Sequence, residues 1–148
     1  MKRELLISTL LLFSVSSYAT DTIKEGQSYP IDKMKEQIKK IIKMTVTEVS
    51  KGLPQTIDKY TEITKVRDEN LTLIYTFNIN TGAKSDETVK NEGKARMEEP
   101  VSKGICQSSK RFLDAGVTLR YEYFSKSTQK ELFTFTLNQK KCKELHYD

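Results

Sequence analysis

Apolar side chains alternate with polar ones along three stretches of the chain, and this period of two predicts β-strands. The stretches are residues 71–79, 116–123 and 132–137. The last two are separated by the polar residues 125–129, which suit a turn, so we expect an antiparallel hairpin. Its predicted inward face carries Val117, Leu119, Tyr121, Tyr123, Phe133, Phe135 and Leu137. A weaker alternation predicts a fourth strand over residues 60–67.

A helix is predicted after Pro30, because apolar residues recur there at intervals of three and four. These residues are Ile31, Met34, Ile38, Ile41, Ile42, Val46 and Val49. The helix should end near Gly52. We expect it to pack across the sheet through four of the apolar residues, namely Ile38, Ile41, Ile42 and Val49.

The other face of this helix is rich in lysine, with Lys33, Lys35, Lys39, Lys40 and Lys43. We interpret it as the solvated face of a core helix, since Glu36 and Glu48 interrupt it and no aromatic anchors flank it. The alternative is a surface that docks to anionic lipid or to an acidic partner.

A second helical region is predicted to begin at residues 85–86, where a capping side chain precedes an acidic first turn, and to end at residues 114–116. Gly93 and Pro100 interrupt it. They predict either a kink or two helices that meet at Glu99 and Pro100.

The order helix, strand, strand therefore occurs twice, and the predicted fold class is α+β. We expect an αββαββ arrangement with the helices packed on one antiparallel four-stranded sheet. Residues 70–77 and 116–123 look like two copies of one strand. Internal duplication is one explanation of this likeness, and β propensity alone is the other.

The first residues predict export. Lys2 and Arg3 precede an apolar run over residues 5–15, and Ser17-Tyr18-Ala19 provides a site for a signal peptidase. We expect a signal peptide over residues 1–19, cleavage between Ala19 and Thr20, a flexible lead-in over 20–29 and a single domain over 30–148. The predicted location is periplasmic or secreted. An uncleaved membrane anchor is the alternative, but the apolar run is short for a bilayer.

Export determines how the two cysteines are interpreted. In an oxidising compartment Cys106 and Cys142 most economically form one disulfide, with a structural role. The alternatives are a redox pair or metal ligands. The chain has no C-x-x-C motif, and two distant cysteines with one histidine make a poor zinc site.

The remaining chemistry of the chain argues against an enzyme. The net charge is +5, and the basic residues are interspersed with acidic ones along the chain. This mixture favours a solvated surface over a nucleic-acid surface. His146 is the only histidine and is the third-last residue, where the geometry of a catalytic set is hard to hold. Phosphate-binding loops and calcium-binding loops are missing from the sequence. We therefore expect no catalytic residue, no metal and no cofactor.

A resemblance adds to this interpretation. Residues 53–58, 75–77 and 116–123, together with Cys106 and Cys142, are similar to small exported bacterial proteins, most of them uncharacterised. The resemblance implies an exported α+β domain, and it implies no catalytic residue.

Three functional hypotheses follow. The favoured one is a non-enzymatic exported domain that binds another protein of the cell envelope. The second is an inhibitor or immunity protein that blocks a periplasmic enzyme through an exposed loop such as residues 81–85. The third is a small-molecule carrier with a pocket between helix and sheet.

Overall fold

The computed structural model describes residues 30–147, and the predicted signal peptide, its cleavage site at Ala19 and Thr20, and the lead-in lie outside this range. The helices are α1 (Ile31–Ser50), α2 (Asp86–Thr88), α3 (Lys94–Ser108), α4 (Lys110–Asp114) and α5 (Gln139–Glu144), and a π-helical turn, Val89–Gly93, joins α2 to α3. The strands are β1 (Gln55–Thr56), β2 (Thr61–Glu69), β3 (Thr72–Ile79), β4 (Thr118–Ser125) and β5 (Glu131–Leu137).

The five strands form one mixed sheet in the order β1-β2-β3-β4-β5. Neighbours are antiparallel except β3 and β4, which are parallel. The α+β class is confirmed, but the predicted four-stranded antiparallel sheet is wrong in strand number and in direction. The two residues of β1 are too few to alternate detectably, and the helical region between β3 and β4 carries the chain back along the sheet, as a parallel connection requires.

The two stretches that look alike in sequence are direct neighbours in the sheet. Thr72 lies opposite Thr118, Leu73 opposite Leu119, and Tyr75 opposite Tyr121. For residues 72–77, this register pairs each residue of β3 with the residue that the sequence likeness matches to it. In three of these pairs, threonine, leucine and tyrosine each stand beside an identical side chain.

Aromatic rings fill the space between the sheet and the helices. Six of them form a continuous cluster on β3, β4 and β5, with neighbouring centroids between 4.8 and 5.8 Å apart: Tyr75, Phe77, Tyr121, Tyr123, Phe133 and Phe135. Burial raises the pKa of Tyr121 to about 12, and the nearby Tyr75 adds to this shift. These tyrosines belong to the core, as their alternation predicts.

Helix α1 packs on β2 through the face that holds Ile38 and Ile42, both buried, with Val49 half-buried at its end. The prediction that Ile41 also packs on the sheet is wrong, because half of its surface is exposed. Successive residues of a helix are about 100° apart, so Ile41 and Ile42 cannot both point to the centre of a narrow interface. Apolar character alone did not reveal which one faces the sheet.

The second helical region differs from its prediction at both weak points. Helix α3 runs through Pro100 without ending there, so the chain does not form two helices that meet at Glu99 and Pro100. The irregularity lies about two turns earlier, in the π-helical turn that ends at Gly93. A Cβ atom added to Gly93 would lie 3.3 Å from Cε1 of Phe133, so this glycine allows the turn to approach β5 closely.

Helix α5 was not predicted. Its first turn is capped by Asn138, whose Oδ1 accepts a hydrogen bond of 2.8 Å from the backbone N–H of Lys141. The helix carries Cys142, and the structure joins this residue to Cys106 of α3 in a disulfide, with the Cα atoms 5.7 Å apart. The bond therefore connects two helices, α3 and the short α5 that follows the last strand. Its structural role in the exported protein stays a prediction.

Candidate binding surfaces

Helix α1 exposes a line of large apolar side chains beside its buried face. Met34, Ile41 and Met44 have exposed fractions of 45, 50 and 67%, and we call these three residues the apolar row. Each directly follows a lysine in the sequence, in the pairs Lys33-Met34, Lys40-Ile41 and Lys43-Met44. Of these three residues, only Ile41 was predicted to pack on the sheet; Met34 was predicted as part of the apolar repeat, and Met44 was not singled out.

Two further exposed apolar side chains lie in the turn between β1 and β2. Ile57 and Tyr60 are each more than half exposed. The carboxylate of Asp58 fixes this turn, because its Oδ1 accepts hydrogen bonds of 2.8 Å from the backbone N–H groups of Tyr60 and Thr61. Lys59 places its Nζ 4.7 Å from the centre of the Tyr60 ring. The turn thus presents its apolar groups in a defined conformation.

A groove of about 620 Å³ opens beside this turn, at the end of the sheet where β2 begins and β3 ends. One wall is the segment that follows β3, and the other is formed by the π-helical turn and the start of α3. Its apolar lining consists of Tyr60, Ile79, Ala83, Val89 and Met97. Asp58, Lys84 and Arg96 stand around it. The groove therefore offers an apolar floor with charges of both signs.

Ion pairs and hydrogen bonds order the loop along this groove. Lys84 Nζ lies 2.8 Å from Glu92 Oε2, and this hydrogen-bonded ion pair lowers the pKa of the Glu92 carboxyl. Asp86 accepts a hydrogen bond from the Thr128 hydroxyl, which lowers the pKa of Asp86. Asp86 begins α2, and Thr128 lies in the turn between β4 and β5. The loop at residues 81–85, predicted as an exposed inhibitory loop, is therefore held at its C-terminal end.

A second groove, of about 340 Å³, lies between α3, α5 and β5. Four consecutive residues of β5, Thr134 to Leu137, line it. Neighbouring side chains of a strand point to opposite faces of the sheet, so a groove lined by four consecutive residues meets both faces. It therefore follows the free edge of the sheet, which β5 forms. Glu98 and Glu99 of α3 stand opposite this edge, with Lys94 at one end.

The residues considered for catalysis are not brought together. His146 is exposed, and its backbone N–H donates to the carbonyl of Lys143. Between residues 30 and 147, no group of three or more His, Cys, Asp or Glu side chains is placed to hold a metal ion. Cys106 and Cys142 are both buried and bonded to one another. Neither cysteine is available as a thiolate, because the two are bonded to each other. The described residues thus offer surfaces for binding.

The sequence matches the domain of unknown function DUF8479 over residues 36–133, from the middle of α1 into β5. The chain belongs to this family. The match confirms the resemblance to uncharacterised proteins that the sequence analysis drew. No curated protein matches the chain in sequence. Among residues 30–147, none of the helices combines the length and apolar character needed to cross a membrane.

Three solved structures have similar folds. A protein of Pseudomonas aeruginosa, described as a candidate secreted protein, is 16% identical with a TM-score of 0.63, covering 78% of this chain and 99% of its own. EpsS, a pilotin of the Vibrio vulnificus type II secretion system, is 14% identical with a TM-score of 0.62, covering 75% and 96%. AspS, the type II secretion pilotin of Vibrio cholerae, is 13% identical with a TM-score of 0.59, covering 76% and 98%. At these identities the likeness concerns the fold.

Proposed function

We propose that this chain is a non-enzymatic exported domain that binds another protein of the cell envelope. One observation carries the proposal: within the described range, the large exposed apolar side chains all fall between residues 31 and 60. They are Ile31, Met34, Ile41, Met44, Ile57 and Tyr60. Single exposed apolar residues are ordinary, but three along one side of α1 are a concentration typical of an interaction surface.

Two further facts support the proposal. The predicted signal peptide would bring the domain into the envelope, most simply the periplasm. The three fold neighbours include a candidate secreted protein and two pilotins, which are parts of type II secretion systems. A partner in the envelope agrees with both facts.

The test is capture of partners from a periplasmic extract by the tagged exported protein. We expect the wild type to retain one dominant envelope protein and an Ile41→Ser, Met44→Ser variant to retain much less of it. The matched control is Lys103→Ser, Gln107→Ser, which alters two exposed residues of α3 and should capture as well as the wild type. Equal capture by all three proteins, or by none, would contradict the proposal that this apolar surface binds a protein.

The groove of about 620 Å³ favours a second candidate function, a small-molecule carrier. Native mass spectrometry of the protein purified from the periplasm tests it. A carrier would show a bound mass that disappears in a Val89→Phe variant, in which the larger ring fills the groove. An unliganded mass in both proteins would contradict it.

The inhibitor hypothesis is tested by the same capture experiment. A captured enzyme whose activity falls when the protein is added would support it. The loop over residues 81–85 would then be the segment to change, since it forms one wall of the groove.

A further inference from the structure

We infer that the apolar row on α1 binds an acidic amphipathic helix of the partner. This inference rests on the proposed function and names the chemistry that the partner presents. It follows from the spacing of the row, from the charges beside it and from the charge repulsion that a second copy of this chain would meet there.

The spacing of the apolar row fits a helix. Met34 and Ile41 are seven residues apart, and Met44 follows three residues later. Seven residues are close to two full turns at about 3.6 residues per turn, so the three side chains lie along one side of α1. The row spans roughly 15 Å at about 1.5 Å per residue, which is about three turns of a partner helix. Separations of three and seven residues are those of the seam between two packed helices.

Positive charge predominates beside the row, where three lysines outnumber the single carboxylate among them, Glu36. Lys33, Lys40 and Lys43 each precede one of its members, so they stand about 100° around the helix from it. They are exposed, and none forms an ion pair with another residue between 30 and 147. The other side of the row is closed by the packing of Ile38 and Ile42 on the sheet. A helix on the row therefore meets positive charge on its open flank, and acidic side chains there complement it.

The same lysines argue against a second copy of this chain as the occupant. Two α1 helices packed antiparallel on their apolar rows would place the lysines of one against those of the other. Like charges across an interface disfavour association. A parallel arrangement would direct the lysines of one copy at the sheet of the other, where Ile38 and Ile42 leave no room.

The test uses two designed helical peptides as probes. Both have leucine at the seam positions of three heptads, and they differ only in having glutamate or lysine at the flanking positions. Fluorescence anisotropy measures binding of each peptide to the exported protein. We expect the acidic peptide to bind at least about tenfold more tightly than the basic one, and the difference to shrink with added salt.

Charge reversal makes the test specific to α1. In a Lys33→Glu, Lys40→Glu, Lys43→Glu variant the preference should pass to the basic peptide. The control Lys90→Glu, Lys103→Glu, Lys130→Glu changes the net charge equally at exposed positions elsewhere and should keep the preference for the acidic peptide. Circular dichroism of both variants verifies that they are folded.

Equal affinity for the two peptides, a preference that the α1 reversal leaves unchanged, or a control that also reverses would overturn the inference. Binding to phosphatidylglycerol vesicles with no preference between the peptides would overturn it in favour of a lipid surface. Capture from the extract can depend on Ile41 and Met44 while the acidic peptide shows no preferential binding. In that case the proposed function stands, and only the inference of an acidic helix as the partner is wrong. If capture fails as well, both are wrong.

Discussion

Ile41 and Ile42 are neighbours in α1 with opposite environments, since Ile42 is completely buried and Ile41 is half exposed. Ile42→Ala should lower the free energy of unfolding by about 2 to 5 kcal/mol, because it leaves a cavity beneath the helix. Ile41→Ala should change it by less than about 0.5 kcal/mol, as is usual at an exposed position. Urea denaturation of the two variants measures both values. Similar losses in the two would contradict the orientation of α1.

Two glycines of the second helical region provide a matched pair. Gly104 lies inside α3 with nothing within 4 Å of an added Cβ, so Gly104→Ala should stabilise the protein by about 0.5 to 1 kcal/mol. Gly93→Ala gains the same stabilisation from the reduced backbone freedom of the unfolded chain, but its Cβ presses on the Phe133 ring. We expect it to be less stable than Gly104→Ala, as thermal melting of both would reveal. An equally stable Gly93→Ala would mean that the π-helical turn does not need a glycine.

The disulfide acts between α3 and α5, two elements that are otherwise held by side-chain packing. A Cys106→Ser, Cys142→Ser variant should lose about 4 kcal/mol on the chain-entropy model for a loop of this size and melt at a lower temperature. Binding of the acidic peptide should persist below the new melting temperature, because α1 is not bonded to either cysteine. Two reactive thiols in the exported wild type, or lost binding at an unchanged melting temperature, would contradict a structural role.

The elements were predictable where a single pattern determined them. The alternation in β3, β4 and β5 located those strands to within two residues at each end, since one face of each strand is buried. The helix after Pro30 was predictable for the same reason. Helix α5 was not, because six residues are too few for a helical period to appear. The apolar row was missed because the pattern identifies apolar residues but does not tell which of them the sheet covers.

At the scale of the whole molecule, the parallel pairing of β3 and β4 could not be predicted from the sequence. Alternation gives the faces of a strand but not the direction of its neighbour, and that direction depends on how the helical region crosses the sheet. The grooves are likewise products of packing between distant segments. Asp58, Ile79 and Arg96 surround one groove, although no local pattern connects them.

The buried tyrosines predict how the whole domain responds to alkali. The pKa of Tyr121 is raised from 10 to about 12, so the folded state holds this proton more tightly than the unfolded state. The resulting stability is fully present below pH 10 and is lost as the pH rises from 10 to about 12. Melting temperatures across this range should fall, and a Tyr121→Phe variant should fall less steeply. Parallel curves for the two proteins would contradict the cause given.

The position of the disulfide has a consequence for splitting the molecule. Both cysteines lie after β3, so the bond leaves α1 and the first three strands without a covalent tie to the rest except through the chain itself. A single cut in the loop over residues 80–85 would leave two fragments joined by non-covalent contacts: the β3–β4 pairing, core packing and ion pairs such as that between Arg67 and Glu122. Such fragments form a heterodimer whose population depends on concentration. Expressed separately and mixed, they should assemble at high concentration and separate on dilution, which native mass spectrometry of mixtures at several concentrations would detect.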